Sequence, residues 1–440
     1  MEDEHGQTNN KLKRMKSGVH AAIGKGTILK WILYGGMVGI LSGCASALFL
    51  YSLDTVTKAR TGSPWLLFLL PVGGVIISYL YMKLGKNAGK GNNLLIEQIQ
   101  AGDEPIPLRM APLVLLGTLT THLFGGSAGR EGTAVQMGGS LAEWIGKWLR
   151  VGALDRRILL MCGISGGFGS VFGTPLAGTL FGLEVITIGV IRYEALIPCF
   201  TSSFVGDLVT KAWGINHIHY SMSGIPQLTV MVLIKVIIAS ILFGLCSRIF
   251  SGLIHWLKEA FTRIMPNMML KSVVGGVIII LLVSVLGTRD YMGLSLPLLV
   301  QAFQEPVSTF AFLWKMVFTW ITLGAGYLGG EVTPLFVIGA ALGSALSGLL
   351  LLSAPFLAGL GLIGVFSGAT NTPIACFILG IELFGSEGLI YMFIACVISY
   401  LVSGHTGIYT SQQVGISKYR RQLMPEGTTL ASLRLSNKRR

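Results

Sequence analysis

The stretch Gly125-Gly126-Ser127-Ala128-Gly129-Arg130-Glu131-Gly132-Thr133-Ala134-Val135-Gln136-Met137-Gly138-Gly139-Ser140-Leu141 lies between long apolar runs. Its surroundings place the ionisable pair Arg130–Glu131 at membrane depth. A charge there is costly, and by default it marks an ion path or a proton relay. The flanking glycines let the backbone leave helical geometry, which at that depth survives only where it is buried or lines a cavity. A helix beginning at Thr133 would aim unpaired N–H groups back toward Glu131, as a helix N-terminus holds an anion. The structural alternative is a short re-entrant loop that the Arg–Glu pair braces.

The pattern recurs 200 residues later: Gly126, Gly129, Glu131, Thr133 and Gly139 match Gly326, Gly329, Glu331, Thr333 and Gly339. The second copy reads Gly329-Gly330-Glu331-Val332-Thr333-Pro334-Leu335-Phe336, with Pro334 in the first turn of the helix that would follow. A second pair of stretches agrees at nearly the same offset. Thr174-Pro175, Ala177, Gly182 and Glu184 correspond to Thr372-Pro373, Ala375, Gly380 and Glu382. Two related halves with broken helices are how many secondary transporters are built.

Composition agrees. The chain is 52% hydrophobic and 12% charged, with a mean hydropathy of +0.68. Soluble domains carry roughly 25% charged residues, so this is a polytopic membrane protein. Its 59 glycines are about twice the usual share and suit close helix packing and interrupted helices. The net charge of +13 resides in tails and short loops, as cytoplasmic loops do, and does not point to nucleic acid. The six cysteines are scattered singly through apolar sequence and read as small core residues. The charged N-terminus is no signal peptide, and the apolar run from about Ile28 is expected to direct insertion itself.

Charge asymmetry sets the expected topology. Residues 1–27 form a basic cytoplasmic tail, spans follow at about 29–53 and 65–83, and Lys147, Arg150, Arg156 and Arg157 mark a second cytoplasmic loop. No charge occurs between Ala212 and Ile234, so the linker 216–227 is read as external. The first half (28–215) then crosses an odd number of times and the second (228–416) is inverted, before a basic cytoplasmic tail (417–440). His217 and His219 lie in the linker, but two ligands do not make a metal site. The expected fold class is an all-α polytopic membrane protein of two inverted halves, with broken and re-entrant helices.

Two further stretches bear on function. In Gly89-Lys90-Gly91-Asn92-Asn93 the asparagines either cap a helix or offer amide N–H groups to an anion. Ser403-Gly404-His405-Thr406-Gly407-Ile408-Tyr409-Thr410 suggests a helix start with a phenol as donor, or an interfacial anchoring tyrosine.

Gly129-Arg130-Glu131-Gly132 resembles the gating-glutamate motif of the CLC chloride channel and transporter superfamily. Gly329-Gly330-Glu331-Val332-Thr333-Pro334, with Gly91-Asn92-Asn93, resembles its fluoride-transporting branch, over nearly all of residues 28 to 416. The resemblance implies a CLC-type inverted repeat in a bacterial plasma membrane. It further implies fluoride/proton antiport and a homodimer with one pathway per subunit. It places Glu131 as the gating and proton-carrying residue, and Asn92, Gly132, Val332, Thr333 and Tyr409 at the anion. Asn92 stands where other members have an anion-contacting serine, Val332 where they often have phenylalanine, and Tyr409 where a late tyrosine lies beside the central anion. Asn93, Arg130 and Glu331 are possible supports, Glu331 as a second relay or as a helix-start carboxylate.

Many exchangers of this family carry two adjacent glutamates after a Leu-Phe pair, the second accepting the inner proton. Here Leu180-Phe181-Gly182-Leu183 leads to Glu184 and then Val185, and Glu382 repeats Glu184, so a structural pair is expected. The short C-terminal segment leaves no room for the cystathionine-synthase-like domains of many eukaryotic members.

An anion crossing a membrane needs donors to replace its hydration without a fixed cation to trap it. Small, strongly hydrated fluoride suits N–H and O–H donors. A deprotonated Glu131 would repel the anion or occupy its place, and an anion nearby favours protonation, so one residue can couple the two ions. No cofactor or metal is called for. The alternative is a chloride or broad-selectivity anion channel or exchanger. A third class, an intramembrane serine protease, would rest on Gly163-Ile164-Ser165-Gly166 and His405.

Overall fold

Apolar chain in a bilayer must satisfy its backbone internally, and helices do so locally. The computed structural model describes residues 2–100, 102, 104–217, 220–419 and 422–438. The first half comprises α1 (Glu2–Gly62), α2 (Leu70–Leu80), α3 (Asn92–Gln100), α4 (Met110–Leu123), α5 (Glu131–Trp148), α6 (Ala153–Phe172), α7 (Pro175–Glu184) and α8 (Leu196–Ala212). The second comprises α9 (Val230–Ile264), α10 (Met268–Leu286), α11 (Leu296–Ala302), α12 (Ala311–Gly324), α13 (Val332–Leu350), α14 (Ala354–Thr370), α15 (Pro373–Phe384) and α16 (Leu389–Ser403), with α17 (Leu430–Lys438) after it. Among the described residues, five stretches are long and apolar enough to cross a membrane: Gly26–Gly62, Pro64–Lys90, Val230–Ile264, Met268–Leu286 and Val332–Leu350.

Packing repeats with the sequence. α1 lies on α8 as α9 lies on α16; α5 lies on α6 as α13 lies on α14. α2 meets its counterpart α10, and α7 meets α15, so these pairs straddle the relation between the halves. The α5–α6 and α13–α14 crossings are close because glycines face glycines, Gly138 against Gly163 and Gly339 against Gly361. A β-carbon at any of the four would overlap the facing carbonyl.

Both halves break a helix with the same device. α6 ends on left-handed Gly173 and α14 on left-handed Asn371, and each successor restarts with proline at its first position. The orphan N–H groups of each restarted helix are then taken by a glutamate from the other half. Glu382 accepts from Leu176 and Ala177 (2.8 and 2.7 Å), while Glu184 accepts from Ile374 and Ala375 (3.2 and 2.8 Å). Each carboxylate faces the positive end of a helix dipole.

The structure corrects three local expectations. α5 starts at Glu131 rather than Thr133. No helix starts at Tyr409. The chain turns there into β2 (Gln413–Val414), which runs parallel to β1 (Thr187–Ile188), because the Gln412 side chain donates to Val185 O and Thr370 O. Ser165 belongs to no nucleophile loop. It is fully buried within α6 beneath Gly182, and His405 accepts from the Lys418 N–H instead. The segment read as a C-terminal tail carries α17, whose start donates Leu430 and Ala431 N–H to Gln412 O and Thr410 O (both 3.0 Å). Five cysteines are buried and Cys44 is half-buried, all as free thiols. His219 lies outside the described residues.

Removing one reciprocal cap, by Glu382→Ala, is expected to cost ~1–2 kcal/mol. The thermal unfolding midpoint in detergent should fall by a few degrees, and Glu382→Gln should recover part of it. An unchanged midpoint would show that the crossed glutamates contribute nothing.

Candidate functional site

The two glycine-rich stretches meet as a two-residue antiparallel bridge. Gly129 N–H donates to Gly330 O (2.7 Å) and Gly330 N–H to Gly129 O (2.9 Å). This brings the start of α5 against the start of α13. Glu131 is 1% exposed, and its carboxylate reaches across to the other half. Oε1 accepts from the Val332 N–H (2.6 Å); Oε2 accepts from the Thr333 N–H (3.1 Å), the Thr333 hydroxyl (2.8 Å) and the Arg130 N–H (3.0 Å). The donors expected from Glu131's own helix thus come from α13, two of them the first N–H groups of that helix. Gly330 makes the approach possible, because a β-carbon there would overlap Oε1.

Thr333's hydroxyl hydrogen is committed to Glu131, so its bond with Thr118 (2.7 Å) has Thr118 as donor. Thr118, on α4, was not singled out from the sequence; its signal is the clustering of Gly117, Thr118, Thr120 and Thr121.

Asn92, Tyr409, Glu331, Gly330 and Gln136 line a cavity of about 460 Å³ on one side of Glu131. Asn92 opens α3, but its Oδ1 is buried without a partner, so it does not cap the helix. Gly132 lies against the Asn92 amide and Gly330. Asn93 accepts from the Ser411 N–H (3.0 Å), and Glu97 accepts from the Ser411 hydroxyl (2.8 Å), which binds α3 to the Tyr409 turn. Tyr409 is 6% exposed, its ring in a T-shaped contact with that of Phe181.

Glu331, the counterpart of Glu131, sits at the N-cap position of α13 but accepts no bond from that helix. Its carboxylate pairs with Lys258 of α9 (2.9 Å), because the first N–H groups of α13 already hold Glu131. The Lys258 pairing was not foreseen. Arg130 turns away from Glu131's carboxylate, its guanidinium 5.5 Å above the Phe172 ring and facing a second cavity. The residues expected at the anion therefore converge, while Arg130 and Glu331 face opposite sides. Chemically, the centre is a seat of N–H and O–H donors, filled by a carboxylate between two cavities.

A family profile described as voltage gated chloride channel matches residues 73–404. A "Chloride/fluoride channel protein" of Pseudomonas syringae pv. tomato is 48% identical over 92% of this chain and 91% of its own. An "H(+)/Cl(-) exchange transporter ClcA" of Vibrio parahaemolyticus is 26% identical over 93% of this chain and 96% of its own. Among solved structures, a CLC-type fluoride/proton antiporter superposes with a TM-score of 0.85 at 34% identity, covering 88% of this chain and 98% of that one. The all-α broken-helix architecture, the paired glycine-rich stretches and these matches together assign the chain: it belongs to the voltage-gated chloride channel (CLC) family of membrane ion-transport proteins.

Proposed function

We propose that this protein is a fluoride/proton antiporter that exports fluoride in exchange for protons, with Glu131 as both gate and proton carrier. The observation that carries the reading is the Glu131 carboxylate bound by four N–H and O–H donors, with no side-chain cation among them. A group of donors that holds a carboxylate oxygen can hold a small hard anion in its place. Protonation of Glu131 removes its charge and weakens its hold on the donors. Fluoride arriving from the Asn92–Tyr409 side can then take the seat formed by Val332 N–H, Thr333 and Arg130 N–H. When fluoride leaves and the proton is released to the other side, the carboxylate returns. Alternate occupancy of one seat is what couples the two ions.

The motifs around Asn92 and Glu331, together with the names of the 48% identical relative and the antiporter structure, support fluoride as the cargo. The basic residues Lys90, Lys258 and Lys271 line the Asn92 cavity, which favours that side as cytoplasmic by the positive-inside rule. Under the same reading both termini are cytoplasmic, the membrane is the bacterial plasma membrane, and the protein is a homodimer with one pathway per subunit. The second reading is a chloride or broad-selectivity channel or exchanger, favoured by the chloride in the names of the relatives.

Proteoliposome flux separates the two. Fluoride efflux should drive opposing proton movement and exceed chloride efflux, and Glu131→Gln should abolish the proton movement. Equal chloride flux, or fluoride flux without protons, would establish the second reading. Gly330→Ala should evict the carboxylate from its seat. Exchange is expected to fall at least about tenfold, the loss of one or more charge-assisted hydrogen bonds, while the protein stays monodisperse in detergent. Wild-type exchange in this variant would mean that the seat is not used.

A further inference from the structure

A second cavity, of about 600 Å³, is lined by Arg130, next to Glu131 in the chain, and shares no lining residue with the Asn92–Tyr409 cavity. Arg60, Arg130 and Arg289 line it, with Asp54 and Asp290. Among the described residues, none of the three arginines forms an ion pair. Asp54 is already paired with Lys58 (2.6 Å), and Asp290 keeps its charge while accepting from the Thr288 hydroxyl (2.6 Å), so the three arginines of the lining outnumber its two carboxylates.

Two of the arginines are built in rather than waving in solvent. Arg60, near the end of α1, is 9% exposed and donates from Nη1 to His122 O (3.0 Å). Its guanidinium fills the space where Gly293, at φ +58°, lacks a side chain; a β-carbon there would overlap Nη1. Arg130 is fixed over Phe172, and its Nε is buried without a hydrogen-bond partner. Immediately behind Gly293 stands a buried lysine. Lys315 is fully buried, and its Nζ lies within hydrogen-bond distance of four neutral oxygens, Ser127 Oγ and Gly293 O (both 2.8 Å), Ser295 Oγ (2.9 Å) and Tyr291 O (3.2 Å), more than its three N–H groups can each serve singly.

Buried cations without counter-charges are costly, and a mobile anion of the right size offsets that cost. Guanidinium suits the task, being weakly hydrated, permanently charged and rich in donors. We propose that this cavity is a separate anion-holding site, in which Arg60 and Arg130 bind a single monovalent halide next to, and distinct from, the Glu131 seat. Either a transported fluoride or chloride from the medium could fill it, and the same donors serve both. Under the proposed topology the site faces outward, so it would hold the anion at the exit. It rests on the cavity and its charges, not on which halide is carried, so failure of fluoride transport would leave it standing.

The test uses the full chain, with bromide as an anomalous scatterer in crystals and fluoride and chloride titrations of the detergent-solubilised protein. Bromide density should appear between Arg60 and Arg130. Arg60→Gln should remove it and weaken halide binding roughly five- to tenfold, whereas Arg60→Lys should stay within about threefold. Competition of each halide against bromide identifies the preferred occupant. Should Arg60→Gln fail to fold, Arg289→Gln at the cavity rim should still lower bromide occupancy. Bromide only at the Glu131 seat, or cavity density and affinity unchanged in the arginine variants, would overturn the proposal.

Discussion

A carboxylate from one half of the chain, held by the first N–H groups of a helix in the other half, is the contact on which the centre of this molecule depends. The seat requires that two helix starts face one another across very little space. The Gly129–Gly330 bridge provides the register, and the missing side chain of Gly330 provides the room. Desolvated N–H donors with no alternative partner hold an anion strongly, yet a set of dipoles releases it more readily than a fixed cation would. That balance is what a transport site needs.

Four glutamates show how a repeated sequence divides its labour. Glu184 and Glu382 keep the symmetry, each capping the restarted helix of the opposite half. Glu131 and Glu331 break it. Of these two, Glu131 occupies a helix N-terminus of the other half, while Glu331 pairs with Lys258 beside the Asn92 cavity. A symmetric pair of caps stabilises both halves equally. An asymmetric pair leaves one carboxylate held by neutral donors, with no cationic side chain fixing it in place.

The C-terminal segment also belongs to this centre. Tyr409 stands on a turn rather than a helix, and a turn needs outside support to hold a side chain in place. Asn93 and Glu97 hold Ser411 from one side, Gln412 reaches Val185 O and Thr370 O, and the start of α17 bonds back to Thr410. The same contacts bring Asn92 and Tyr409, far apart in the chain, onto one cavity.

Membrane character, the two related halves, the correspondence of Thr174-Pro175 with Thr372-Pro373, and the presence of a glycine-flanked charged residue at Glu131 were all legible in the sequence. Each follows from local composition or a repeat: apolar length, proline and glycine chemistry, and a charge at membrane depth. The partners were not legible. That Glu131 is bound by Val332 and Thr333, that Thr118 stands behind Thr333, that Lys258 takes Glu331, and that Arg60 and Lys315 are buried near Gly293 are contacts across long sequence separations. A hydrogen bond between halves depends on the relative placement of two helix ends, which packing over the whole chain determines. Local sequence marks a helix start to within a turn, whereas moving that start from Thr133 to Glu131 changes which N–H groups are free. Local residue chemistry thus sets which residues carry charge and where helices break, whereas packing between the two halves sets which carboxylate meets which helix end.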